Sequence, residues 1–122
     1  MEDNINFRSF EEGDYETCCE WWKWWWERTG LNPVQRALLP DDDKCFIIEK
    51  NGEPIAAYFL LVFEFKVVAF TTYLVTNPKY KQKDRRELIK RLVLSVEKEA
   101  EKIGVMQLFT ICMNLTNNFI KK

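Results

Sequence analysis

Residues 67–103 read VVAFTTYLVTNPKYKQKDRRELIKRLVLSVEKEAEKI. The opening run, Val67 to Val75, is apolar, β-branched and aromatic, which is strand chemistry. Thr76-Asn77-Pro78 ends it in a turn, because proline has no amide to continue a ladder. A basic loop follows, from Lys79 to Arg86. Beyond it Leu88, Ile89, Leu92, Val93, Val96, Ala100 and Ile103 recur at helical spacing and form one apolar stripe. Asp84 stands where an N-cap is expected, and Glu87 three positions later completes a capping box. Gly104 ends the helix, and Val105 to Cys112 (VMQLFTIC) reads as the next strand. A strand-helix-strand passage of this length predicts a right-handed crossover between parallel neighbours. Its basic loop is also an anion-site candidate, since unpaired amides and the helix dipole converge at a helix N-terminus.

Outward from this unit, Lys44 to Glu49 and Ile55 to Phe63 are apolar runs joined through Asn51-Gly52, a strong hairpin signal. A turn over Glu64 to Lys66 leads to the strand at Val67, so these three strands form a meander. At the other end Ile5 to Phe10 alternates apolar and polar residues, as a half-buried strand does. A helix is predicted from Glu11 to about Arg28, stopping near Gly30. On its wheel Tyr15, Cys18, Cys19, Trp22 and Trp26 share the core face, with Trp25 at the edge. Trp21 falls well off that face and Trp24 opposite it. The loop Thr29 to Asp43, with Pro33, Pro40 and a short helical stretch at Val34 to Leu39, is expected to fold over Trp24. A second subunit or a ligand is the alternative cover. Asp41-Asp42-Asp43 reads as a solvated turn rather than a divalent-metal site. Asn114 to Lys122 begins a further helix. The predicted class is α/β (α+β): a mixed, mostly antiparallel central sheet flanked by helices.

The bulk numbers agree with one domain. The chain has 122 residues, 47% apolar and 30% charged, with a formal charge of -1, a globular balance without a global basic field. The expectation is a cytoplasmic protein that binds neither nucleic acid nor membrane, because Met1-Glu2-Asp3 does not start a signal peptide and no apolar run is long enough to span a bilayer. The four cysteines, Cys18, Cys19, Cys45 and Cys112, have no zinc spacing and there is no histidine. They read as reduced thiols, and Ser-His or Cys-His catalysis is excluded.

The segments INFRSFEEGDYE, IIEKNGEPIAAYFL, YLVTNPKYKQKDRRELIKRLVLSVEKEAEKIGV and FTICMN leading to NNFIKK, in this order, resemble the GNAT superfamily of N-acetyltransferases. The likeness covers nearly the whole chain and is closest to small phage or bacterial GNAT-like proteins with Trp-Trp in the first helix. It implies acetyl-CoA as cosubstrate and a small-molecule or protein amine as acceptor. It also implies that the pantetheine arm lies along the strand end Tyr73, Leu74 and Val75. The pyrophosphate would meet the loop, here Lys81, Lys83, Arg85 and Arg86, and Asn114 would contact the CoA arm.

Three departures from the family pattern stand in this sequence. The phosphate loop has no glycine, so basic side chains would substitute for close backbone approach. The strand that often carries a general base has Thr71, Thr72 and Tyr73, leaving Glu49, Glu64 or Asp41 to Asp43 as unselected alternatives. The family's final strands are missing after Lys122, and no tyrosine follows Tyr80 to protonate a departing thiolate. Val105 to Cys112 is then expected to be an open edge: either a homo-oligomer or another partner covers it, the sequence is cut short, or the chain is a reduced variant of the fold. Two functions remain open: an N-acetyltransferase acting by direct amine attack, or a catalytically inactive GNAT-like binding or assembly module.

Overall fold

Asn51 and Gly52 both adopt left-handed backbone, φ 52° and 83°, the geometry a two-residue hairpin turn needs to match strand twist. The structure, a computed structural model, describes residues 3–27, 30, 32–63 and 68–110. The Asn51-Gly52 turn joins β2 (Cys45–Lys50) to β3 (Glu53–Val62), and β4 (Val68–Thr76) completes the meander. β1 (Ile5–Ser9) pairs antiparallel with β2, while β5 (Gln107–Thr110) pairs parallel with β4 after the crossover helix α2 (Arg85–Ile103). The sheet order is β1-β2-β3-β4-β5, as the strand-helix-strand passage predicts. The turn over Glu64 to Lys66, residues 111 and 112 of the expected last strand and the helix expected from Asn114 lie outside the described residues.

Each face of the sheet carries a helix. Leu88, Leu92, Val96 and Ala100 of α2 are buried against Ile48, Ala56, Tyr58, Leu60 and Ala69, so the predicted stripe is the one that packs. Gly104, at φ 96°, closes α2: its amide and that of Val105 return to the carbonyls of Glu101 and Ala100. On this face the Tyr58 hydroxyl donates to Thr71 Oγ1 at 2.8 Å, which lies 3.0 Å from Thr110 Oγ1.

The opposite face takes α1 (Asp14–Trp26). Trp22 stacks on Phe59 and Trp26, at 5.8 and 6.1 Å between ring centroids. The buried arc is Cys18, Trp21, Trp22 and Trp26, while Tyr15 and Cys19 are half-buried. The expectation for Trp21 is therefore corrected: it is core, 5% exposed. The helix is rolled toward Trp21 because Tyr15 does not seek the interior. Its hydroxyl donates to the Val34 carbonyl at 2.9 Å, which satisfies its polar end at the helix flank. The loop after α1 thus covers Tyr15, not Trp24. Trp24 remains 55% exposed and meets Trp25 edge-on at 4.7 Å.

The N-terminus of α1 is fixed by charge. Arg8 grips the buried Asp14 with both terminal nitrogens, at 2.6 and 3.2 Å, and donates through Nε to Glu49 at 3.1 Å. Asp14 also accepts the Glu11 amide at 2.6 Å. The paired carboxylates hold the Arg8 guanidinium more firmly protonated than usual. Among the described helices, none is long and apolar enough to cross a membrane.

Candidate functional site

Ala69 packs in the core beneath α2, yet Val75, an even number of positions along the same strand, packs in the core beneath α1. Side chains alternate along a strand, so β4 must contain an extra residue. It lies at Tyr73 and Leu74. Ala57 pairs with Val75 and Phe59 with Thr72, leaving two β4 residues opposite Tyr58. Tyr73 takes up the kink in left-handed backbone, φ 61°, a strained choice for a non-glycine residue and one associated with functional sites. Its ring stays packed on Phe59, at 6.3 Å between centroids.

The other edge of β4 pairs with β5. Pairing with β5 runs from Val68↔Gln107 to Thr71↔Thr110 among the described residues, while β4 continues to Thr76. The Asn77 amide donates back to β3, to the Ile55 carbonyl at 2.7 Å. Its neighbour Thr76 must then present its own carbonyl away from β3. There it accepts the Trp25 indole N–H at 2.8 Å.

Beyond Thr76 the chain turns into the basic loop. Lys81, Gln82, Lys83, Arg85 and Arg86 line one open cleft of about 530 Å³. The expected capping box does not form. Asp84 occupies the N-cap position of α2 but makes no side-chain cap bond. Its carboxylate instead accepts Lys50 Nζ at 2.7 Å and the Tyr80 hydroxyl at 2.5 Å. Lys50 holds the Asp84 carboxyl below its usual range, helped by Tyr80, whereas burial and Asp84 push the Tyr80 hydroxyl up. The physical reason is competition: an ammonium and a phenol are stronger partners for a carboxylate than a backbone amide. Among the described residues, the amides of Arg86 and Glu87 in the first turn have no protein acceptor.

The residues expected to form the site fall into three groups. Lys81, Lys83, Arg85 and Arg86 come together on one cleft. Tyr73 and Leu74 form the bulge, with Leu74 41% exposed, whereas the Val75 side chain is buried and its backbone is paired with Ala57. Asn114 lies outside the described residues. Of the carboxylates weighed as a base, Glu49 is engaged by Arg8 and Asn6, Asp42 by Arg36 and Asp43 by Lys44. Glu64 lies outside the described residues. The bulge itself is absent from the sequence reading. Its one signal is that the apolar residues of TTYLV do not keep a period of two.

The buried thiols are not poised for chemistry. Burial pushes Cys18 well above its ordinary value and Cys45 up to about 12. Folded protein treated with iodoacetamide at about pH 8 is expected to leave both unmodified, read by mass spectrometry. Because their folded pKa values are raised, these thiols contribute stability that is present below the ordinary value of 9.0. That stability is lost as pH rises toward about 12. Unfolding midpoints that do not decline across this window would contradict the assignment.

No protein-family model matches the chain, and no curated protein matches its sequence. Solved structures do match its fold. N-acetylglutamate synthase from Neisseria gonorrhoeae, complexed with coenzyme A and N-acetyl-glutamate, superposes with a TM-score of 0.72 at 20% identity, over 99% of this chain and 28% of that one. The chain therefore spans little more than a quarter of that relative. An aminoglycoside acetyltransferase from an uncultured soil metagenomic sample, in complex with sisomicin, gives a TM-score of 0.63 at 10% identity, covering 96% of this chain and 83% of that one. The ribosomal-protein-S18-alanine N-acetyltransferase from Escherichia coli gives 0.53 at 18%, covering 79% and 61%. At such identities the likeness is one of architecture, and it establishes that this chain has the GNAT-like fold.

Proposed function

We propose that this chain is an acetyl-CoA-dependent N-acetyltransferase domain that transfers acetyl to an amine by direct attack. The observation that carries the proposal is the bulge at Tyr73-Leu74, set on the strand that leads into a basic helix N-terminus. The residues present fit such a cosubstrate. Lys81, Lys83, Arg85 and Arg86 offer charge-assisted donors to a diphosphate, in place of a glycine-rich cradle. The β4 edge beyond Thr71 would offer main-chain groups to an extended amide-bearing arm, as a strand edge does for an added strand. A backbone amide of the bulge, free of the β3 ladder, would donate to the thioester carbonyl as charge builds on its oxygen.

The bound cosubstrate supplies an activated acyl group: the amine nitrogen bonds to the carbonyl carbon, the C–S bond breaks and the thiolate leaves with the proton that the amine gives up. Of the carboxylates weighed, Glu49, Asp42 and Asp43 are engaged in ion pairs, and the proposal assigns no general base. An amine delivered neutral and aligned gains most from positioning. The neighbours that match this fold act on an amino acid, an aminoglycoside or a ribosomal protein by their names, so the acceptor is sought across all three classes.

Calorimetric titration with coenzyme A is expected to give saturable binding. Thiol release from acetyl-CoA is expected with at least one amine of the panel. Folded protein that takes up no coenzyme A overturns the proposal. Binding without turnover for any amine supports the inactive binding module instead.

A further inference from the structure

Aspartate is among the strongest N-cap residues, because its carboxylate can accept the orphan amides of the first turn. Asp84 sits at that position of α2 and does not do so. Both its oxygens are taken. Lys50, at the β2 end of the hairpin, binds one at 2.7 Å, and Tyr80, from the loop before the helix, binds the other at 2.5 Å. Lys50 also lies 3.4 Å from the Tyr80 hydroxyl and 3.4 Å from Asp3. The cluster has two consequences. The first-turn amides of Arg86 and Glu87 are left without a protein acceptor among the described residues, at the helix start that lines the basic cleft, and the N-cap carboxylate is neutralised by an ammonium group.

We propose that Lys50 and Tyr80 are positioning residues that hold the Asp84 carboxylate off the N-terminus of α2, so that its amides stay available to the diphosphate of the cosubstrate. The ligand named here rests on the acetyltransferase proposal; the hold on Asp84 does not. Without Lys50 the carboxylate turns back to cap the helix. It then competes with the anion for the same donors and places a negative charge beside it. The latch explains how an acidic residue is tolerated at the mouth of an otherwise basic cleft.

Lys50→Met is expected to weaken coenzyme A binding about fivefold, since a side-chain cap is worth ~1 kcal/mol and one decade of affinity is about 1.4 kcal/mol. Tyr80→Phe, which loosens only one of the two holds, falls between. The double variant Lys50→Met/Asp84→Ala is expected to bind within about threefold of the wild type, because the competing carboxylate is gone. A staple that merely anchors the helix to the hairpin predicts the reverse, a double variant no better than Lys50→Met. The second readout needs no ligand. Amide hydrogen exchange at Arg86 and Glu87 is expected to slow in Lys50→Met and to stay fast in Lys50→Met/Asp84→Ala. Unchanged exchange in Lys50→Met overturns the latch even if coenzyme A binds. Slowed exchange in Lys50→Met, with a wild type that binds no coenzyme A, upholds the latch and overturns only the acetyltransferase proposal.

Discussion

Replacing Lys81, Lys83, Arg85 and Arg86 together by glutamine is expected to weaken coenzyme A binding about a hundredfold. These side chains line a single cleft at the start of α2. Exposed charge pairs are each worth up to ~1 kcal/mol, and four converging on one diphosphate give about 3 kcal/mol, roughly two decades of affinity. The effect is electrostatic, so added salt should weaken the wild type more than the variant. Stability should change little, because Lys81, Lys83 and Arg86 are exposed and Arg85 is only partly buried. Titration of both proteins at low and high salt checks this. Equal affinity at low salt would show that the anion is held elsewhere. A loss that appears only with a lowered unfolding midpoint would mean that the cleft residues support the fold rather than the ligand.

Arg8→Met is expected to cost about 3–5 kcal/mol of folding stability, because it leaves a buried carboxylate without its counter-charge. Asp14 is 6% exposed, and Arg8 provides its only charged partner at hydrogen-bond distance among the described residues. Against a typical stability of about 5–15 kcal/mol, a loss of that size removes much of the margin. The damage comes from the orphaned charge rather than from a lost attraction. Arg8→Met/Asp14→Leu should therefore recover most of it, since an apolar pair of similar volume tolerates burial. Urea unfolding of the three proteins reads the cycle. A single variant that loses less than about 1 kcal/mol would show that water reaches Asp14 and that the pair is a surface ion pair. The functional consequence follows from geometry. Arg8 fixes the start of α1, and the far end of α1 carries Trp25, whose indole N–H reaches the β4 edge at Thr76.

The sequence was legible where one local rule governs one element. Asn51-Gly52 places a hairpin because only residues at ease in left-handed backbone close a two-residue turn with the right twist. The stripe from Leu88 to Ala100 and the stop at Gly104 follow from helical period and backbone freedom. Clustering of the basic loop was legible for the same reason: neighbours in sequence at the start of a helix remain neighbours in space. Where two local rules competed, a contact from far along the chain decided. Asp84 has the N-cap position that the sequence predicts but bonds Lys50, thirty-four positions away. Trp21 is buried because Tyr15 rolls outward to the Val34 carbonyl.

By itself the sequence determined the element order, the parallel crossover and the charge at the start of α2, because period, turn chemistry and capping glycines act over a few residues. Only the tertiary structure decided the bulge at Tyr73-Leu74 and the bonds to Lys50 and Tyr80 that Asp84 makes in place of a cap on the helix it heads. Each of these is a register or a partner choice between segments distant in the chain. An extra residue in a strand leaves its composition unchanged while moving every later side chain to the other face, and only the opposing cores, Ala69 on one side and Val75 on the other, reveal it.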